Sequence, residues 1–388
     1  MTTSLLHEHG PQQAETERFP ASARRAVPLV VGSAIQAGLG VVWARGGGGY
    51  PFASDGSGLQ VSVLADLDPS VVGLGLVVVA GLAAATAVLT LARVRLPTPV
   101  EALVHATGWV AIAGLVLVVP DYRLLGSVGY TPIVLLGSPF GWPDGVTLAQ
   151  VWPWDVTYLG LTTLWGLVWA ATLVGGGRGT QPTPPDVSHG APATGWRSPA
   201  AAARWGRWAV AVAVAIPLMY AVTRWAWALG IPLGISSEVL AEHASSGLWL
   251  AGAALGTLAA AGAGLTLGLV QGWGEVTPGW LPLIGGRDVP PAAATVPATI
   301  VAVMVTSAGL MFGRLYLADA FDDFFAGASF AVIGPELLWP VWGAALGAAT
   351  LAYHLRRRGA SLAEAAWRGT PSGDRDGVVE VDVLDRVQ

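Results

Sequence analysis

The chain contains no cysteine and no lysine. Without cysteine it can form no disulfide, no thiolate metal site and no thiol nucleophile. Charge of either sign is scarce, because Asp, Glu, Lys and Arg make up 12% of the 388 residues, whereas soluble domains carry about 25%. A soluble protein of this length would need more charge to cover its surface, so the composition excludes an ordinary water-soluble domain.

Motifs for nucleotide or nucleophile chemistry are also missing. The chain has no Walker loop, dinucleotide fingerprint, nucleophile elbow or zinc-protease helix in usable form, so we do not expect a nucleotide-driven pump from this chain alone. The net charge of −5 gives no argument for nucleic acid as a partner. No cofactor, catalytic residue or metal site is predicted, and Glu242-His243 with Asp322-Asp323 is the one set to test for metal.

Long apolar runs are what the sequence has in abundance. Hydrophobic residues make up 53% of the chain, and its mean hydropathy is +0.57. The 24 residues from Gly247 to Val270 carry no charge, which is enough for a helix to cross about 30 Å of hydrocarbon. The pattern predicts an all-α, polytopic transmembrane helical bundle of about eight spans, with the lipid bilayer as its partner. The spans are placed at about 26–44, 69–92, 100–119, 156–174, 208–222, 247–270, 292–312 and 331–353.

The arginines predict the orientation of these spans. Sixteen of the 20 lie in the two tails or in loops on the same side as the tails, whereas Arg45, Arg123, Arg224 and Arg314 fall in loops on the opposite side. Positively charged loops stay in the cytoplasm, so we expect a multi-pass protein of the plasma membrane with both termini cytoplasmic. Arg24-Arg25 also fits a twin-arginine export signal, but the following run is long for a signal and further spans follow.

Polar segments divide the chain into two halves. The stretch between the fourth and fifth spans is rich in Gly, Pro, Thr and Ser, which is typical of a disordered linker. The predicted division is a flexible cytoplasmic tail at 1–23, a four-span half at 24–174, a disordered cytoplasmic linker at 175–203, a second four-span half at 204–358 and a cytoplasmic tail at 359–388. Within the second half, Ser236 is placed to cap a short helix.

The two halves show local similarity to one another. Leu82–Leu91 resembles Leu258–Leu267, and Thr98-Pro99 recurs as Thr277-Pro278. An internal duplication would give two parallel four-helix repeats, related by an axis along the membrane normal. Helices rich in Ala and Leu also resemble one another through composition alone, and this stays the alternative explanation.

A ladder of small residues runs along the sixth span. Residues four apart lie on one face of a helix, and small side chains there let a neighbouring backbone approach closely. The ladder predicts a helix-packing face, with chance as the alternative in a chain of 52 glycines. Its members are Gly252, Gly256, Ala260, Gly264 and Gly268.

Ionisable side chains at membrane depth are costly and therefore informative. Glu101 and His105 lie four residues apart on the third span, where a carboxylate would favour the charged imidazole. They form a candidate pair for proton handling or ligand binding, and wetting at the interface is the alternative. Glu336 lies early in the eighth span, where a helix N-terminus favours a carboxylate and a structural role competes with a functional one.

The segment that follows the sixth span resembles part of a known kind of protein. It reads QGWGEVTPGWLPLIGGRDVP from Gln271 to Pro290. This motif, with the general outline of the chain, is similar to a family of uncharacterised multi-pass membrane proteins of GC-rich, actinobacteria-like bacteria. The resemblance covers about twenty residues and implies a membrane-embedded helical fold, with no known activity, ligand or catalytic residue.

Three functional hypotheses remain open. A small-solute transporter or channel follows from the possible repeats and the small-residue faces, and it predicts a polar path inside the bundle. A non-transporting scaffold or sensor follows from the scarcity of intramembrane charge and from the charged C-terminal tail, where a protein partner would bind. A membrane-embedded enzyme, the third hypothesis, would need acids and histidine to meet in one cavity, with Glu101 and His105 as the best pair.

Overall fold

The computed structural model describes residues 21–53, 61–94, 96–141, 145–176, 195–318, 320 and 330–369. Within these residues the structure is built from helices, and the extended backbone pairs only at one isolated antiparallel bridge, Val276 with Asp288. The helices are α1 (Ala21–Ala44), α2 (Pro69–Leu91), α3 (Thr98–Ala113), α4 (Tyr122–Gly137), α5 (Leu148–Val151), α6 (Trp154–Gly176), α7 (Pro199–Ala228), α8 (Ser237–Glu242), α9 (Leu248–Leu267), α10 (Pro291–Leu317), α11 (Phe330–Leu337) and α12 (Trp339–Gly369).

Seven of the described helices are long and apolar enough to cross a membrane. They are α1, α2, α3 with the π-helical turn Gly114–Val118 that continues it, α6, α7, α9 and α10. Their positions match the first seven predicted spans, and the all-α polytopic bundle is confirmed. Side chains cap several of their ends. Asp68 accepts a hydrogen bond from Ser70 N ahead of α2, and Ser198 accepts one from Ala201 N ahead of α7.

The eighth predicted span is not one continuous helix. It is divided into α11 and α12, which meet at Leu338. Pro340 explains the break, because proline has no N–H to donate to the carbonyl of Glu336 and is tolerated in the first turn of a new helix. The amide of Trp342 donates to Leu338 O at 3.0 Å, which begins α12. The apolar stretch of the eighth predicted span is therefore an interrupted helix.

Other predicted boundaries also change. The predicted loop from Asp121 to Asp155 contains α4, sixteen residues long, and the short α5. The fifth span is thirty residues long, so the last residues of the predicted linker are helical from Pro199 onward. Helix α12 continues to Gly369, into the predicted C-terminal tail. The predictions for 1–20, 177–194 and 370–388 lie outside the described residues.

The chain forms two compact units. The first comprises the described residues within Met1–Gly48, Leu67–Ala113 and Leu164–Gln181, and the second those within Gly49–Asp66, Gly114–Thr163 and Pro182–Gln388. These units are defined by packing, whereas the predicted halves rest on sequence similarity and the pattern of spans. The division into duplicated halves therefore stays a prediction.

In the first unit, α1 and α2 pack through glycine. A Cβ atom built on Gly73 would lie 2.7 Å from Ala44 N and closer still to Gly40 O, so the two backbones touch where side chains are missing. The second part of α6 packs on α1 as well. Trp165 Nε1 donates to Ser33 Oγ at 3.3 Å, and a Cβ on Gly32 would lie 2.6 Å from Trp165 Cδ1.

In the second unit, α7, α9, α10 and α12 form an antiparallel bundle. Helices α7 and α12 run in opposite directions, because Gly206 meets Ala352 near one end whereas Tyr220 meets Trp339 near the other. Helix α10 is also antiparallel to α12. The core between α7, α10 and α12 consists of apolar side chains with two indoles: Val210, Ala213, Ile216, Ala302, Val305, Ala308, Trp339, Trp342, Leu346, Ala349 and Tyr353, joined by Leu269 from the end of α9.

Candidate functional site

A buried arginine, Arg224, lies one turn before the end of α7. The sequence places it in a loop beyond a fifth span ending at Val222, but the helix continues to Ala228 and the Arg224 side chain is 11% exposed. Glycine on α9 makes room for it. Gly256 lies against Ala221 and Arg224, where a Cβ would come within 3.3 Å of Arg224 Cβ. Gly252 lies along the same side chain, 3.7 Å from its Cδ on the same measure.

The partner of Arg224 is Glu336, near the end of α11. Arg224 Nη2 donates to Glu336 Oε1, and the Glu336 side chain is 7% exposed. The same guanidinium donates from Nη2 to Val332 O at 3.3 Å and from Nη1 to Thr223 Oγ1 at 3.1 Å. Two rings complete the enclosure, since the guanidinium carbon lies 4.4 Å from the ring centroids of both Tyr220 and Trp227.

Glu336 keeps one carboxylate oxygen without a hydrogen-bond partner. Among the described residues of the second unit, the buried polar side-chain atoms that lack a partner are Glu336 Oε2, Trp339 Nε1 and Trp342 Nε1. All three belong to residues at the break between α11 and α12. Buried polar groups are nearly always satisfied, so one unpartnered acceptor and two unpartnered donors mark this junction as a place where water or a small polar molecule could bind.

An aromatic chain connects this junction with α4 and α10. Tyr220 packs on Trp339 with ring centroids 5.7 Å apart, and Trp339 packs on Phe312 at 5.6 Å. Phe312 contacts Tyr122 on α4 at 5.9 Å. Tyr130 lies two turns further along the same helix.

Tyr130 also lines an open groove of about 500 Å³ on the second unit. The groove lies beside α4 and α5, and its lining mixes apolar side chains with phenols, an amide and a guanidinium. The residues are Tyr122, Arg123, Gly126, Ser127, Tyr130, Gly145, Val146, Gln150, Val151, Pro153 and Val156. Its volume is within the range of small-molecule sites. Tyr122 therefore belongs both to this groove and to the aromatic chain.

Arg123, at the groove, is held by two aspartates. Its Nε and Nη2 donate to Asp121 at 3.0 and 2.8 Å, and its Nη1 donates to Asp155 at 2.8 Å. Asp121 is 2% exposed and also accepts from the Arg123 amide, which caps α4. The sequence predicts that Arg123 and both aspartates lie in the loop between the third and fourth spans. The structure instead forms a partly buried ionic triad that fixes the start of α4 to α6.

Glu101 and His105 do not form an ion pair in the described structure. Glu101 is exposed, and the His105 ring is partly buried. His105 Nδ1 lies 2.9 Å from the backbone oxygen of Glu101, an ordinary contact between residues four apart on α3. Both belong to the first unit, whereas Glu336 belongs to the second.

The later members of the glycine ladder differ from the first two. Ala260 is partly buried. Gly264 is exposed, and a Cβ at this position would meet no other part of the described structure within 4 Å. Gly268 ends α9, and a Cβ there would lie 2.6 Å from the Trp273 ring. The ladder therefore does not form one packing face. Gly252 and Gly256 contact α7, Gly264 is open, and Gly268 lies against the ring of Trp273.

Of the four residues proposed for a metal test, the structure describes Glu242 and His243. His243 Nδ1 lies 3.2 Å from Val239 O, and its ring packs on Trp249 at 5.8 Å. Asp322 and Asp323 lie outside the described residues. Within the part of the chain that the structure describes, no three His, Cys, Asp or Glu side chains come together as metal ligands would. The predicted cap of α8 is confirmed, since Ser236 accepts from Val239 N.

The Arg224 side chain thus brings together three of the residues predicted from the sequence, which are Glu336, Gly252 and Gly256. Sequence reasoning missed Arg224 because it ended the fifth span at Val222. The signal was present, since Trp225, Ala226 and Trp227 continue the apolar run beyond the single arginine. An apolar run that resumes beyond a single arginine is compatible with an arginine inside the span as well as with one in a loop.

Comparisons with protein-family models, with curated proteins and with solved structures find no match to this chain. Its class therefore rests on its own composition and fold. Seven apolar helices and an interior that buries an arginine–glutamate pair are those of an integral membrane protein of the all-α, polytopic type. The lipid bilayer is its environment.

Proposed function

We propose that this membrane protein moves a small solute across its bilayer, with protons passing at the Arg224–Glu336 pair. The observation that carries the proposal is the unpartnered Glu336 Oε2, buried beside a guanidinium at a break between two helices. A carboxylate with a free oxygen can accept a proton, and its affinity for that proton depends on how closely the arginine holds it. A solute that weakens the ion pair would thereby change the proton affinity of Glu336.

The interrupted helix supports this proposal. Substrate and ion sites in many transporters lie where a membrane helix is discontinuous, because the broken backbone offers free polar groups at membrane depth. Here α11 ends at Leu337 and α12 begins at Trp339, with Glu336 immediately before the break. Trp339 and Trp342 add two indole N–H donors to the same junction.

The groove beside α4 and α5 gives the solute a place to bind. It shares Tyr122 with the aromatic chain, which continues through Phe312 and Trp339. This chain ends at Tyr220, which packs against both Trp339 and Arg224. A solute in this groove would be separated from the buried pair by aromatic rings. Movement of these rings would then couple solute binding to the pair, and rotamer changes of this kind need no change of fold.

The proton is the probe that tests the proposal. The purified protein would be reconstituted into vesicles that contain a pH-sensitive dye, and a potassium diffusion potential would drive protons inward. We expect the wild-type protein to acidify the lumen faster than protein-free vesicles do. We expect Glu336→Gln to lose this flux, whereas Glu238→Gln, which removes an exposed carboxylate from α8, should keep it.

A double variant separates a functional pair from a structural one. Arg224→Met with Glu336→Met removes both charges and leaves neither buried alone, so the fold should tolerate it. If this folded double variant retains wild-type proton flux, or if wild-type vesicles behave like protein-free ones, the proposed function is wrong.

The scaffold and enzyme hypotheses have less support from the described residues. Most of the C-terminal tail on which a scaffold would act lies beyond Gly369, outside the described structure. Glu101 and His105, the best pair for an enzyme, share no ion pair there. Residence in the plasma membrane, cytoplasmic termini, an internal repeat and membership of the GC-rich bacterial family are also proposals, supported by the arginine distribution and the sequence similarities.

A further inference from the structure

The loop between α9 and α10 is a fixed hairpin, and its tip is apolar and exposed. The hairpin covers residues 275–289, within a connection whose two ends are the ends of membrane-crossing helices at Leu267 and Pro291. Val289 N donates to Glu275 O, and Thr277 N donates to Arg287 O, both at 2.9 Å. The Thr277 hydroxyl accepts from Arg287 N at 3.0 Å, which closes the tip.

Helix α12 fastens this hairpin from one side. Tyr353 Oη donates to Gly274 O at 2.8 Å, and Arg357 Nη2 donates to Val289 O at 3.0 Å. Arg356 donates to Leu269 O and lies 3.3 Å from the Glu275 carboxylate. These contacts hold both strands of the hairpin at the end of the bundle, so its tip keeps a fixed place relative to α9 and α12.

The tip presents three large apolar side chains. Trp280 is 80% exposed, Leu283 is 91% exposed and Ile284 is 46% exposed. Leu283 has a φ of +72°, in the left-handed region that a residue with a Cβ rarely adopts. This leucine therefore holds an uncommon backbone conformation without gaining burial among the described residues.

We propose that this tip, residues 280–284, is seated in the headgroup layer of the protein's own bilayer. Its two ends leave the membrane at α9 and α10, so the hairpin is already at the membrane surface. Indole favours the headgroup layer, and leucine and isoleucine favour the acyl chains directly beneath it. The charged residues Arg287 and Asp288 lie on the returning strand, away from the tip. The tip is therefore an interfacial anchor that positions the Arg356 and Arg357 end of α12.

The absence of native cysteine allows a direct test. Leu283→Cys and, as a matched control on the same hairpin, Arg287→Cys would each carry an environment-sensitive fluorophore. The full chain would be reconstituted in phosphatidylcholine–phosphatidylglycerol vesicles, with or without lipids that bear a quencher near the headgroup. We expect the label at 283 to lose most of its fluorescence to the lipid quencher and to be shielded from aqueous iodide. The label at 287 should show the reverse.

Three results would overturn the proposal. Quenching of the 283 label by iodide would place the tip in water. Shielding from both quenchers would mean that protein covers it, and a dependence of this shielding on the protein-to-lipid ratio would identify a second copy as the cover. Equal lipid quenching at 283 and 287 would show that the tip is not the inserted part. None of these results bears on proton flux, so this inference and the proposed function stand or fall separately.

Discussion

Arg224 and Glu336 form an ion pair in the interior of the second unit. Each is costly to bury alone, and their mutual attraction offsets the cost only while both are present. The rings of Tyr220 and Trp227 on either side of the guanidinium add cation–π attraction. Gly252 and Gly256 leave the space in which the arginine side chain lies. The pair is therefore a property of α7, α9 and α11 together.

The first prediction concerns the energy of this pair. Glu336→Ala leaves a buried guanidinium without its carboxylate, so we expect it to lower the free energy of unfolding by about 3–5 kcal/mol. The double variant Arg224→Met with Glu336→Met should remain close to the wild type. Unfolding by titration with a denaturing detergent, followed by circular dichroism, measures both. A Glu336→Ala variant as stable as the wild type would show that the pair is not buried as described.

Asp68 gives a prediction about pH. Its carboxylate accepts hydrogen bonds from the Ser70 hydroxyl at 2.6 Å and the Ser70 amide at 2.7 Å, and these bonds lower the pKa of Asp68 below its ordinary value. A lowered pKa means that the cap stabilises the fold above the pKa of the unfolded chain. This contribution is lost as the pH falls through the pKa of the folded state.

The measurement compares the wild type with Asp68→Asn. Asparagine also caps helices but does not titrate. The difference in unfolding midpoint between the two proteins should therefore change as the pH falls below about 4, the ordinary pKa of an aspartate. The wild type should lose more stability than the variant on acidification. Asp66→Asn, which removes an exposed carboxylate two residues earlier, is the control. Parallel pH profiles for wild type and Asp68→Asn would contradict the assigned cap.

Part of the candidate site could be predicted at the residue scale. Glu336, Gly252 and Gly256 are visible in the sequence because each is an exception: an acid in an apolar run, or small residues at a spacing of four. Arg224 was missed because a charge near a span end has two explanations, a loop or a buried pair. Only the ion-pair partner of Arg224 distinguishes the two explanations. That partner, Glu336, lies 112 residues away in the sequence, so no local pattern reveals it.

At the scale of elements, the structure differs from the sequence prediction at two places, one because of a proline and one because of tertiary packing. The apolar run at 331–353 predicts one span, but Pro340 separates α11 from α12. The stretch from Asp121 to Asp155 is predicted as a loop between two spans, yet Asp121 caps the helix α4 there. Leu124 of this helix is buried in a cluster with Met304 of α10. Tertiary packing therefore overrides the local signal at α4, and the sequence alone has no record of that packing.

Helix α9 gives the prediction at this scale. Leucine at Gly256 must displace Ala221 or Arg224, because even a Cβ there would lie 3.2 Å from Ala221 Cα. We expect Gly256→Leu to destabilise the protein by about 1–3 kcal/mol, as overpacking does. Gly264→Leu, on the open part of the same helix, should be tolerated. Unfolding in a denaturing detergent, followed by circular dichroism, measures the stability of both variants. Equal effects of the two substitutions would contradict the packing of α9 on α7.

At the scale of the whole molecule, the packing of the second unit predicts which helix ends lie on the same side of the membrane. Helices α7 and α12 are antiparallel, and the N-terminal end of α7 lies at the same end of this bundle as Arg356. That end also carries the hairpin between α9 and α10, since Arg356 binds Leu269 O. The connections after α7 and before α12 lie at the other end. The interrupted α11–α12 therefore runs between the two ends of this bundle.

The last prediction follows from this arrangement and from the arginines. In a chain without native cysteine, Ser198→Cys and Arg358→Cys mark one end of the bundle and Ser245→Cys marks the other. Positive loops stay in the cytoplasm, so a membrane-impermeant maleimide added to intact cells should label Ser245→Cys alone. The other two should react only after the membrane is opened. Labelling of Ser198→Cys and Arg358→Cys from opposite sides would mean that α12 does not cross. Labelling of both from outside, with Ser245→Cys protected, would keep the bundle and reverse its predicted orientation.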